Sequence, residues 1–184
     1  MTLRFGNVPV VISFWFAAVI TLMLMFFPQS RTAECFMLCV LHECGHLLSM
    51  FIFGNVPKKI QLGYFGMKIV TGGRLLSPKK EIVIAASGPL ANLTWAAILH
   101  FCGCKDIAAV SLGLGIFNLL PVPALDGGRI LGQLVTNEKL LKSVGFIFCA
   151  ALLLLGIAAA FYTKRNLTIL VVSLYLFLGM FTAS

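Results

Sequence analysis

The chain has 184 residues, 60% of them hydrophobic and 11% charged, with a mean hydropathy of +1.01. A water-soluble core of this size cannot hide that much apolar surface, so the composition excludes an ordinary soluble enzyme and points to a membrane protein. The formal charge of +8, from 14 Lys+Arg against 6 Asp+Glu, falls between apolar runs. It reads as the positive-inside bias of membrane loops, and no nucleic-acid partner is expected.

A bilayer-spanning helix takes about 20 residues, which predicts an all-α polytopic fold of about six spans with short connections. The first is the uncharged stretch Val8 to Phe27, too long for a signal-peptide core and followed by Pro28-Gln29-Ser30 instead of a small-residue cleavage site. The second, about Ala33 to Phe53, alone carries an ionisable cluster at its middle: His42, Glu43 and His46. From Gly54 to Lys80 six basic residues alternate with Ile60, Leu62, Tyr64, Met67 and Ile69 and are punctuated by Gly63, Gly66 and Gly72-Gly73. That pattern predicts a small membrane-associated β-hairpin. The third span covers about Ile82 to Cys102 and holds Ser87-Gly88-Pro89-Leu90-Ala91-Asn92 in its first half. A short fourth, about Ile107 to Leu120, runs into Pro121 and Pro123, which must end it. Ile130 to Leu141 reads as an interfacial helix, and Val144 to Tyr162 and Leu167 to Thr182 as the last two spans.

Alternating the connections between two sides gives one face Arg4, the six bases of the 54–80 segment, Arg129, Lys139 and Lys142, which is 10 of the 14. The N-terminus, the hairpin and the segment after Asp126 are therefore expected to be cytoplasmic, in a multi-pass protein of the cell membrane.

His42-Glu43-Cys44-Gly45-His46 matches H-E-x-x-H. Residues i and i+4 stand one above the other on a helix, so both imidazoles can reach one metal ion, while Glu43 lies about 100° round the wheel. That is the place of a general base beside a metal-bound water in a zinc hydrolase. The alternative, two packing histidines beside a polar contact, leaves the membrane cost of Glu43 unexplained, about 2.5 to 3.5 kcal/mol on translocon scales. A catalytic zinc takes three protein ligands. Asp126, between the Pro121/Pro123 break and Gly127-Gly128, is the candidate third, the alternative being a surface turn whose Asp caps the next helix.

The set His42-Glu43-x-x-His46, Ser87-Gly88-Pro89-x-x-Asn92 and Asn118-x-x-Pro121-x-Pro123-x-Leu125-Asp126-Gly127 resembles the site-2 protease family of intramembrane zinc metalloproteases. The six-span layout is similar to its short branch, typified by stage IV sporulation protein FB. The resemblance implies zinc held by His42, His46 and Asp126, Glu43 as the base, and Asn92 and Asn118 holding substrate or oxyanion. It implies a membrane-protein substrate, which must unwind locally before attack, and a Gly63 to Gly73 hairpin on which a substrate strand could add. A single membrane domain over 1–184 is expected, with neither the PDZ insertion nor the C-terminal CBS domain of some members. The oligomeric state is not readable. A divalent-metal transporter using the same His and Asp groups is the alternative function, though the matching repeats common in carriers are not visible. The six cysteines, Cys35, Cys39, Cys44, Cys102, Cys104 and Cys149, read mostly as small buried hydrophobes.

Overall fold

The structure is a computed structural model and describes residues 2–5, 8–12, 21, 29–55, 57–63, 66–71, 76–163, 170 and 172–177. In chain order the elements are β1 (Thr2–Phe5), β2 (Val8–Ile12), α1 (Gln29–Ile52), β3 (Pro57–Gly63), β4 (Gly66–Thr71), α2 (Pro78–Phe101), α3 (Lys105–Asn118), α4 (Asp126–Leu134) and α5 (Glu138–Thr163). Residues 172–177 are also helical. Two compact units divide at Ile116/Phe117.

In the first unit the strands form one sheet in the order β1-β2-β3-β4. β1 runs antiparallel to β2, β2 parallel to β3, and β3 antiparallel to β4 with Ile60 opposite Ile69 and Gln61 opposite Lys68. The alternating 54–80 segment thus supplies two of four strands, with residues 64 and 65 between them outside the described residues. The expected first span is corrected at its start. Val8–Ile12 is a strand, not helix, because four of its five residues are β-branched and its backbone pairs on both sides. Most of that span's remainder lies outside the described residues, as does most of Leu167 to Thr182.

Helices α1 and α2 pack on each other through small residues. A methyl group at Gly45 of α1 would stand 2.5 Å from the Ser87 carbonyl oxygen of α2, so only glycine permits this approach, the close packing that membrane helices use in place of a hydrophobic driving force. Both helices end on a glycine with positive φ, Gly54 (66°) and Gly103 (84°). Asn55 N–H returns to the Met50 carbonyl (2.9 Å) and Cys104 N–H to that of Leu99 (2.9 Å), closing carbonyls that α-helix ends leave open. α2 begins with Pro78 after Ser77 and has Glu81 in its first turn, a proline where its missing N–H costs nothing and an acid at the positive end of the dipole.

The second unit packs Val122, Cys149 and Leu176, with Phe117, Leu120, Leu125, Leu152 and Phe177 against them. The expected helix over Ile130 to Leu141 is two elements. α4 stops at Leu134, and Asn137 Oδ1 accepts from the N–H groups of Lys139 (3.1 Å) and Leu140 (3.3 Å), starting α5. An N-cap asparagine after the β-branched pair Val135-Thr136 outweighs the apolar periodicity that runs through it.

Among the described residues, three helical stretches are long and apolar enough to cross a membrane: Thr32–Ile52, Pro78–Phe101 and Glu138–Tyr162. Their exposed residues include Leu48, Phe51, Ile98, Ile147 and Leu154, the apolar outer faces that lipid requires. α3, at 14 residues, is shorter than a span. The reading of the cysteines as buried holds for Cys149 alone. Cys35 is half-buried and Cys39, Cys44, Cys102 and Cys104 are exposed. The physical reason is that a helix apolar all round can turn a cysteine to lipid as cheaply as to protein.

Candidate metal centre

α1 carries His42 and His46 one turn apart on its buried side, 7% and 4% exposed. Their rings meet edge to face with centroids 4.8 Å apart, and their Nε2 atoms stand 3.2 Å from each other. Two nitrogens bound to one tetrahedral zinc at about 2.0–2.1 Å each are about 3.3 Å apart, so this pair is spaced to share one ion.

α2 prepares both rings. His46 Nδ1 lies 2.7 Å from the Ile84 carbonyl oxygen; a carbonyl only accepts, so the proton is on Nδ1 and the Nε2 lone pair is left for a metal. Ser87 Oγ donates to the same carbonyl (2.7 Å) and lies 2.9 Å from Ser49 Oγ, which contacts the His46 carbonyl oxygen at 2.8 Å. On the other ring, the Asn92 amide lies 3.1 Å from His42 Nδ1. Asn92 is 1% exposed and its own carbonyl accepts from the buried Ser111 hydroxyl of α3 at 2.9 Å. A methyl group at Gly88 would run into the imidazoles of both His46 and His42. Pro89, inside α2, removes one rung of the helix ladder beside this crossing. Glu43 is half-buried, on a neighbouring face of α1.

In the second unit Asp126 is 7% exposed and opens α4, with Leu125 as N-cap. The 119–125 segment turns tightly, Val122 N–H to Leu120 O and Leu125 N–H to Val122 O, both 2.8 Å. A side chain at Gly127 would strike the Leu119 and Leu120 carbonyls, and one at Gly128 the Val122 carbonyl. The two glycines are therefore what lets the proline-broken turn fold onto the helix start that carries Asp126. Its Oδ1 accepts from Arg129 Nη1 at 3.3 Å; with that guanidinium half-exposed, the pair adds little. Asn118 ends α3, half-buried.

His42 and His46 of the first unit and Asp126 of the second are all buried, and as residue types they are donors that a metal ion could use. Two imidazoles and a carboxylate are a donor set suited to a catalytic zinc. No cysteine belongs to this group among the described residues.

The model of Peptidase family M50 matches residues 104–157. Over 99% of this chain and 94% of that one, the fold is similar to the solved site-2 protease from Methanocaldococcus jannaschii, with a TM-score of 0.71 at 23% identity. The fold is therefore that of a site-2 protease, and residues 104–157 resemble Peptidase family M50. Among curated relatives, zinc metalloprotease MJ0392 of Methanocaldococcus jannaschii is 26% identical over 167 residues, 78% of this chain and 46% of that protein. Rip3 of Mycobacterium tuberculosis is 31% identical over 105 residues, 49% of this chain and 27% of that protein. The chain thus spans less than half the length of these relatives. The M50 match covers Asp126 and the glycine pair, whereas the H-E-x-x-H helix lies before it.

Sequence reasoning did not find Gly45, Ser49, Ser87, Gly88 or the Ile84 carbonyl as parts of this arrangement. A signal was present for four of them: Gly45-x-x-x-Ser49 and Ser87-Gly88-x-x-Ala91 are the small-residue spacings of close membrane-helix crossings. The Ile84 carbonyl, a backbone atom, has none.

Proposed function

We propose that the chain is an intramembrane zinc metalloprotease that hydrolyses a peptide bond of a membrane-embedded or membrane-associated protein. The carrying observation is the pair of buried imidazoles, His42 and His46, with Nε2 atoms 3.2 Å apart, on a fold shared with a site-2 protease; the buried Asp126 is the third donor of this reading. In this reading those three residues are the zinc ligands, and the name of a zinc metalloprotease relative supports the metal. Nothing in the comparisons supports the divalent-metal transporter.

Bound zinc supplies Lewis acidity toward the scissile carbonyl and toward water. Glu43, about 100° round α1 from His42, is not a ligand in this reading. Its carboxylate takes the proton of the attacking water and returns it to the leaving amine nitrogen. Asn118, at the end of α3, holds the substrate or the developing oxyanion. The outer edge of β4, unpaired among the described residues, accepts an unwound substrate strand. The lipid bilayer surrounds a multi-pass protein of one membrane domain over 1–184, with the N-terminus and the active-site opening cytoplasmic, as the distribution of 10 of 14 basic residues favours.

The test is cleavage of a co-expressed membrane substrate together with zinc content of the purified chain. Wild type is expected to cleave and to hold one zinc per chain, Glu43→Gln to hold zinc without cleaving, and His46→Ala to do neither. Full cleavage by Glu43→Gln removes Glu43 as the base, and a zinc-free active wild type removes the whole reading.

A further inference from the structure

We propose that Cys102 and Cys104, at the corner between α2 and α3, are a thiol–disulfide exchange site: a dithiol that closes reversibly to an internal disulfide in exchange with a small disulfide of the glutathione type. Neither residue belongs to the metal centre, and the chemistry stands whether or not zinc is bound there.

Backbone hydrogen bonds build the corner. Cys102 is the C-cap of α2 (φ −76°, ψ 0°), Gly103 is left-handed at φ 84°, and Cys104 directly precedes Lys105, the first residue of α3. Gly103 N–H returns to the His100 carbonyl (3.0 Å) and Cys104 N–H to that of Leu99 (2.9 Å), the paired closure of a Schellman turn. The Cys104 carbonyl in turn accepts from Ala108 N–H at 3.0 Å, an α-type bond into the first turn of α3. Both cysteines are thus held by the helices they join. With consecutive Cα atoms about 3.8 Å apart, a left-handed residue bends the path until the Cα atoms on either side stand about 5.5 Å apart, against about 7 Å across an extended one. That lies inside the range of about 4.4–6.8 Å over which disulfides close.

Both side chains are free thiols and exposed. They lie just past the membrane-crossing stretch that ends at Phe101, beside the exposed Lys105, where a water-soluble reagent can reach them. Cys39 and Cys44, also exposed, lie inside a crossing stretch and face lipid. Among the described residues no third His, Cys, Asp or Glu joins Cys102 and Cys104 in a possible metal group, so the pair lacks the closed four-ligand set of a structural zinc. Exchange with a disulfide needs only the two thiols. In the orientation that the basic residues favour, α2 leaves a cytoplasmic hairpin and ends on the opposite face of the membrane, the side on which disulfides form and persist.

One cysteine, as thiolate, attacks a sulfur of the small disulfide R–S–S–R; that S–S bond breaks, R–S⁻ leaves, and a mixed disulfide remains on the protein. The second cysteine, as thiolate, attacks the protein sulfur of the mixed disulfide and expels the other R–S⁻. The two protons given up by the protein thiols appear on two R–SH. The protein sulfurs are oxidised by two electrons and the small disulfide is reduced by two.

The experiment equilibrates the reduced full chain, in detergent and without oxygen, with about 0.1 mM reduced glutathione and a tenfold excess of the oxidised form, then traps free thiols by alkylation. Mass spectrometry of the tryptic peptide Glu81–Lys105, which holds these two cysteines and no other, reads the outcome. A thiol tethered through so short a link has an effective concentration of about 1 mM or more, so the internal disulfide is expected to outweigh the mixed one about tenfold. Its signature is a peptide lighter by two hydrogen atoms that carries no alkyl group. Cys102→Ser and Cys104→Ser have no second thiol and are expected to stop at the mixed disulfide; wild type decides alone if either fails to fold. Thiols that stay free in wild type, a mixed disulfide that exceeds the internal one, or a bond between two chains overturns the proposal. Each of these results leaves the proposed protease function standing.

Discussion

His46 on α1 donates its Nδ1 proton to the backbone carbonyl of Ile84 on α2, at 2.7 Å. A backbone acceptor cannot be altered by substituting Ile84, so this ring's tautomer is set by how closely the two helices approach, and small residues at the crossing set that approach. The first prediction follows at Gly88. Gly88→Ala drives a methyl group into both imidazoles and is expected to cost about 1–3 kcal/mol of stability and to abolish stoichiometric zinc binding. Elemental analysis and a thermal melt of the purified variant check it; full zinc occupancy with an unchanged melt would count against the packing.

Ser87 shares the Ile84 carbonyl with His46. Removing its hydroxyl leaves the ring's own bond in place, so Ser87→Ala is expected to lower stability by about 1 kcal/mol while keeping zinc. The contrast between Ser87→Ala and Gly88→Ala, neighbours in sequence, separates loss of a hydrogen bond from collision with the rings.

Gly127 and Gly128 act on Asp126 through the backbone. Either one changed to alanine meets main-chain oxygens of the 119–122 turn, which cannot swing aside like a side chain. Both variants are expected to lose zinc as fully as Asp126→Ala and to melt lower than it does, since Asp126→Ala leaves the turn intact. Melting curves of the three, side by side, decide this.

Glu43→Gln keeps the shape of the side chain and removes its basicity. Cleavage is expected to fall about 10²–10⁴-fold with zinc retained, measured as product formed from a membrane substrate at equal enzyme concentration.

Chelation gives a prediction that needs no substrate. A ligand bound only by the folded state at 100 times its dissociation constant stabilises by about 2.7 kcal/mol. A strong chelator is therefore expected to lower the melting temperature of wild type and to leave His46→Ala unmoved, with zinc restoring the former. An identical chelator response in both proteins would place the ion elsewhere.

Much of this was legible in the residues. The helices Gln29–Ile52 and Pro78–Phe101 follow from unbroken apolar length, and the H-E-x-x-H face from the 3.6-residue turn, because both are local properties of one segment. The start of the first apolar stretch misled for the opposite reason. Val8–Ile12 is apolar enough for a span, but its backbone found partners in β1 and β3, and pairing with distant strands leaves no mark on the segment's own composition. At Ile130 to Leu141, periodicity ran across a cap that one asparagine imposes.

The sequence by itself determined that His42 and His46 share a helix face, since a single turn of backbone fixes it. Only the tertiary structure decided what stands behind each ring: a main-chain carbonyl for one, the Asn92 amide for the other, with a glycine leaving room between. Those contacts join residues 38 and 50 positions apart. They arise where two helices cross, and a crossing is a property of two surfaces that neither stretch of sequence contains alone.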